Sequence, residues 1–134
     1  MAVNNIIKRI QNIMRQDAGI NGDAQRIEQM TWMFFLKVYD TQEETWEYKD
    51  ENYKSIIPED LRWRKWAVDE KDGEALTGEA LLSFVNEKLF PTLKNLPIDA
   101  NTPRAKSIVQ ETFADLNQYM KNGTLLRQVV NIVN

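Results

Sequence analysis

The sequence predicts an all-α fold: a single globular bundle of five to seven helices packed around a central apolar helix at residues 23–40. Three observations carry this. The stretch Asp23–Asp40, DAQRIEQMTWMFFLKVYD, leaves almost no polar face beyond its first turns, and a helix apolar all round is surrounded by protein or lipid. In the flanking segments the apolar residues recur at i, i+3, i+4 and i+7, the helical period, with no convincing strand alternation. Prolines, glycines and Asn/Thr residues stand where helices would start and stop.

Taken in order, the first predicted helix is Val3–Gln16. Val3, Ile6, Ile7, Ile10, Ile13 and Met14 form its stripe, and Lys8, Arg9, Gln11, Asn12 and Arg15 lie opposite. Asp17–Gly22, DAGING, is a linker in which Gly19 suits a C-cap. Asp23 is the expected N-cap of the central helix, whose core residues are expected to be Ile27, Met30, Phe34, Phe35 and Val38. The gapless run Trp32–Leu36 is far too short to span a bilayer. Beyond Asp40 the period fades. Thr41–Lys54 is acidic and aromatic, and reads as a last helical turn followed by a loop. Pro58 suits a first helical position, with Glu59 and Asp60 at the positive end of the helix dipole and Arg62, Arg64 and Lys65 toward the negative end. A short helix from about Pro58 to Trp66 follows, with Trp63 and Trp66 turned to the core. Val68–Gly73 is a polar loop. Thr77 is an N-cap candidate for Gly78–Leu89, and Pro91 is expected to kink rather than stop that helix, because Leu93 and Leu96 continue its apolar spacing. Thr102-Pro103 opens a segment carrying Ile108, Val109, Phe113, Leu116, Tyr119 and Met120. Asn122-Gly123-Thr124 breaks it, and Leu125, Leu126, Val129, Val130 and Val133 form a last stripe.

Composition removes several function classes. The 134 residues fit one domain, and 43% hydrophobic with 28% charged residues is ordinary for a globular one. There is no cysteine and no histidine, so these residues hold no disulfide, thiolate nucleophile, Ser-His triad or His-ligated metal. The net charge of −3 confines any nucleic-acid contact to a local patch. The N-terminus lacks the pattern of a signal peptide, and a cytoplasmic protein without membrane contact is expected. The five glycines make no phosphate-binding loop.

Three segments carry what chemistry there is. Glu43, Glu44, Glu47 and Glu51 stand at i, i+4 spacings, and a solvated acidic face is the expected reading ahead of a carboxylate-only metal site with a hydrolytic role. Arg62-Trp63-Arg64-Lys65-Trp66 interleaves basic and aromatic residues, as phosphate-binding and base-stacking surfaces do. The indoles can equally fill the core while the guanidinium groups face outward. The stripe Leu125–Val133 either folds back on the core or packs on a further part of a longer protein.

Several blocks, in order, resemble the N-terminal helical domain of the modification subunit of type I restriction–modification DNA methyltransferases. They are Met14–Ile27 (MRQDAGINGDAQRI), Trp32–Lys37 (WMFFLK), Ile57-Pro58-Glu59 with Leu61-Arg62-Trp63 and Trp66-Ala67, Leu76-Thr77-Gly78, Phe84-Val85-Asn86 with Leu89-Phe90-Pro91, Leu93–Leu96 and Asn122–Val129. The resemblance implies that residues 1–134 are the N-terminal part of a longer subunit. That subunit would methylate adenine N6 with S-adenosylmethionine and join a specificity subunit, with a restriction subunit able to join as well. This domain would help assemble the complex, clamp DNA and sense target methylation. The family's glycine-bearing cofactor loop and its Asn-Pro-Pro-aromatic motif are absent, so no catalytic, cofactor or metal residue is expected here, and the cofactor and the pocket for an extruded base belong to the catalytic domain. For DNA contact the candidates are Arg62, Arg64 and Lys65, with Lys8, Arg9 and Arg15 as a second group. The alternative is a pure protein–protein interaction module, docked on the specificity subunit or the catalytic domain.

Overall fold

A computed structural model describes the backbone of residues 2–68 and 76–134 and the side chains of 5–68 and 76–134. The expected loop at 69–73 and the side chain of Val3 lie outside the described residues. Helices α1 (Ala2–Met14), α2 (Gly22–Lys49), α3 (Trp63–Trp66), α4 (Gly78–Ser83), α5 (Phe90–Lys94), α6 (Arg104–Ala114) and α7 (Gly123–Val133) follow one another, with a 3-10 turn at Glu59–Leu61 and a π-helical segment at Phe84–Leu89. No strand occurs among the described residues.

α2 is the spine. It is 28 residues long, about 42 Å at the usual rise, and runs well past Asp40. It opens at Gly22, whose φ of +83° lies where side chains other than glycine are strained. The N-cap position is Asn21 and not Asp23. The Gln25 side-chain oxygen accepts the Asn21 N–H at 2.7 Å, and Asp23 instead pairs with Arg26. The C-terminal extension to Lys49 is held by residues far along the chain, as described below.

α7 packs against α1, α2 and α4, and α5 packs against α6. Asn122 caps α7 through its side-chain oxygen, which accepts the Leu125 N–H at 2.9 Å. Gly123 meets Gly78 so closely that a Cβ would lie 1.9 Å from the Gly78 carbonyl oxygen. This close approach of backbones is what glycine permits. Inside α7 the Arg127 guanidinium is buried. It donates to the carbonyls of Trp66 (3.2 Å), Ala67 and Leu76 (3.3 Å), and its Nε reaches Asn131 at 2.9 Å. One side chain thereby ties the end of α3 to the entry of α4.

The helix expected from Pro58 to Trp66 is split. Arg62 is extended, with ψ of 140°, so a 3-10 turn precedes α3. At Pro91 the helical backbone continues. A proline lacks the N–H and its ring clashes with the carbonyl four residues back; the wider turn of the π segment just before it accommodates both.

The core is aromatic along its length. Trp32 stacks on Trp66 (6.5 Å between ring centres) and meets Phe90 edge-on (5.1 Å); Trp66 touches Trp63 (5.1 Å) and Phe84 (5.5 Å). Phe90, Phe113, Phe35, Tyr39, Trp46 and Tyr53 continue the series at 5.2–6.0 Å. Met30, Trp63 and Trp66 are buried as expected, and Phe34 and Phe35 are half-buried. Ile27 and Val38 are corrected: they are 57% and 64% exposed. The partners of α2 cover its other sides and leave this stripe open, so the helix is not enclosed all round.

Asp17 closes the linker. Its buried carboxylate accepts the N–H groups of Gly19 (2.7 Å), Lys121 (2.9 Å) and Asn122 (2.9 Å). Gly19 is no C-cap, since α1 ends at Met14; a Cβ there would lie 2.0 Å from the Tyr119 carbonyl oxygen.

Candidate functional site

The acidic stretch and the basic stretch meet each other. Glu43 is fully buried, and Arg62 is 5% exposed. The Arg62 guanidinium lies 3.5 Å from Glu43, 3.1 Å from Glu47 and 3.2 Å from Glu59. Arg64 pairs with Asp40 at 2.9 Å and with Glu47 at 2.8 Å. Lys65 is half-exposed, 3.4 Å from Glu59. The Tyr53 hydroxyl donates to Glu43 at 2.7 Å.

This network replaces two expectations. The acidic residues do not form one solvated face: Glu43 is inside, Glu47 is shared by two arginines, and only Glu44 and Glu51 stand in solvent. The guanidinium of Arg62 does not point outward. It turns onto α2 because its extended backbone lets the side chain fold back between Glu43 and Glu47. Arg62 and Arg64 therefore clamp α3 and its preceding turn to the far half of α2, and their charge is already met by carboxylates.

The electrostatics follow from this arrangement. Burial by itself would raise the Glu47 carboxyl, but the hydrogen bonds and charges of Arg64 and Arg62 hold it below the usual range. Glu59 is also lowered, first by its bond from Arg62. Tyr39 is pushed up to about 12 by burial and by the Glu43 charge. The Tyr53 hydroxyl is raised as well, by burial and by its bond to Glu43. These groups have no neutral-pH titration, as a structural clamp requires and as a proton-transfer centre would not. Among the described residues, no group of three or more carboxylates is arranged to hold a metal ion.

The second basic group is placed differently. Lys8 and Arg9 are exposed on α1, whose other face buries Ile10 and Met14, and Arg15 is exposed in the turn just after it. Among the described residues no carboxylate pairs with Lys8 or Arg9, and Arg15 bonds only the neutral Asn12, at 3.2 Å. Their charge is open to solvent.

One large concavity stands out for its apolar lining. It is a groove of about 780 Å³ along α2, bounded by Ile27, Met30, Phe34 and Val38, with Ile7 of α1 and Ile108 of α6 as walls. Sequence periodicity missed it, because a greasy stripe looks the same whether a neighbour covers it or not. None of the described helices is long and apolar enough to cross a membrane.

These features define an all-helical domain with an aromatic core, an ion-pair clamp, an exposed cationic helix face and an open apolar groove. The HsdM N-terminal domain family model matches residues 3–133, and the chain belongs to that family. It is 53% identical to the type I restriction enzyme EcoEI methylase subunit of Escherichia coli, a match that covers 100% of this chain and 27% of the relative. A crystal structure of a modification subunit ascribed to a type I restriction enzyme of Vibrio vulnificus YJ016 superposes with a TM-score of 0.82 at 31% identity, over 98% of this chain and 30% of that one. The chain therefore spans less than a third of the length of either relative.

Proposed function

We propose that this domain serves an S-adenosylmethionine-dependent adenine-N6 DNA methyltransferase subunit in the cytoplasm. In this reading it takes no part in the chemistry. It helps assemble the modification subunit with a specificity subunit, and with a restriction subunit when one joins, helps enclose DNA, and contributes to reading the methylation state of the target. The family match over nearly the whole chain supports the parent activity. The observation that carries DNA contact is the group Lys8, Arg9 and Arg15, facing solvent with no carboxylate partner among the described residues. Lys65, half-exposed at the edge of the clamp, is a weaker contributor, while Arg62 and Arg64 act through the scaffold.

Charge reversal at Lys8, Arg9 and Arg15 tests this in the assembled methyltransferase. Binding should weaken by a similar factor on all DNA sequences, and the slope of log affinity against log salt should become shallower by about one per lost phosphate contact. Unchanged affinity and slope would remove α1 from the DNA interface. The competing reading, a protein-only docking module, is favoured by the open groove and by the commitment of Arg62 and Arg64 to carboxylates. Crosslinks from α1 to protein alone, with none to DNA, would establish it.

A further inference from the structure

We infer that the groove along α2 is the seat of an apolar helix from the part of the modification subunit that follows this domain; this rests on the parent assignment above. Residues Ile27, Thr31, Phe34, Val38 and Gln42 line it at steps of three and four, the spacing at which one helix presents a continuous seam to another. Lined residues run from Ile27 to Trp46 on α2, about 28 Å of helix at the usual rise, or about five turns. Ile27 and Val38 stand 57% and 64% exposed at the rim. Ile7 and Ile108 flank this strip, so a helix laid along it would meet apolar side chains on both sides.

The occupant follows from where the chain leads. The match to an N-terminal domain spanning 27% of the E. coli subunit leaves about three quarters of that relative beyond the matched part. The last residue, Asn134, sits against α2. Its side-chain oxygen accepts from Trp63 Nε1 at 2.9 Å and from Lys37 Nζ at 3.4 Å. Lys37 lies one turn from Phe34 and two turns from Met30, both lining residues, so Asn134 stands on that side of α2. A segment tethered there has a high effective concentration at the groove compared with a separate molecule.

Cysteine-free sequence makes the test direct. V38C is introduced into the 134-residue chain and into the full-length modification subunit, and maleimide labelling is followed by mass spectrometry of the peptide carrying position 38. Labelling should be fast in the chain alone and more than about tenfold slower in the full-length subunit, as for a site open in under a tenth of molecules. I27D/V38D, at two exposed positions, should leave the thermal midpoint of the chain alone unchanged but expose the boundary after the domain to protease in the full-length subunit. Equal labelling in both proteins overturns the inference. So does protection that appears only when a specificity subunit is added, or protection in the chain alone that grows with its own concentration, which would assign the groove to a second copy. None of these outcomes depends on DNA affinity, so the role of α1 stands or falls separately.

Discussion

The Arg62 guanidinium and the Glu43 carboxylate face each other at 3.5 Å, both removed from water, at the point where α3 meets the far half of α2. Removing Arg62 leaves the fully buried Glu43 with only the Tyr53 hydroxyl as partner, whereas removing Glu43 leaves Arg62 paired with Glu47 and Glu59. Arg62→Ala should therefore cost about 3–5 kcal/mol and Glu43→Ala less, and replacing both with apolar residues of similar volume should cost less than Arg62→Ala alone. A double-mutant cycle by urea denaturation measures this. Additive losses would mean that the two side chains act independently.

Acid should loosen the same clamp. Glu47 and Glu59 have carboxyl groups lowered in the folded state from the ordinary 4.5. A group lowered on folding stabilises fully above its unfolded value and loses that contribution as pH falls through its folded value. The urea midpoint should therefore be flat near neutrality and fall below about pH 4.5, with a smaller fall in Glu47→Gln. An identical acid limb in wild type and Glu47→Gln would remove Glu47 from the account. Both carboxylates are partly exposed, so salt should reduce the difference.

Asp17 ties the α1–α2 linker to the entry of α7. Asp17→Ala would orphan the N–H groups of Gly19, Lys121 and Asn122, and an unsatisfied buried donor costs about 1–3 kcal/mol. Lys121 and Asn122 lie at the surface, where water can reach the freed groups, so a loss of about 1–3 kcal/mol is expected, with faster amide exchange first at residues 19 and 121–122. Asp17→Asn keeps one acceptor and should recover part of the loss.

Gly123→Ala tests the packing of α4 on α7. Its methyl would occupy the space of the Gly78 carbonyl. Overpacking of this kind costs about 1–3 kcal/mol, and the thermal midpoint should drop accordingly. An unchanged midpoint would show that the two helices can part without penalty.

Much of the fold was legible because it depends on local density of apolar residues. WMFFLK marks a core helix, and Trp63 and Trp66, three apart, turn inward together. What sequence spacing missed depends on partners distant in the chain. The helix reaches Lys49 because Glu43 and Glu47 meet Arg62 and Arg64, some 15 to 20 residues on. That same meeting turned a basic patch expected to face phosphates into a buried clamp. Ile27 and Val38 read as core because periodicity reports which face is apolar and not whether a neighbour covers it. Asp17 gave no signal, since its ligands are backbone groups around residue 121. Of the candidate site, the α1 cations were legible as the polar side of an amphipathic stripe.

The row of rings through the core gives the protein an optical signature of its own. Trp32, Trp63 and Trp66 lie within 6.5 Å of at least one other indole, close enough to couple electronically and to give strong near-ultraviolet dichroism from a fixed geometry. Far-ultraviolet dichroism reports only the helices. A state that keeps its helices but lets the three indoles tumble would lose the first signal and retain the second, so loosening of the core can be followed without a label.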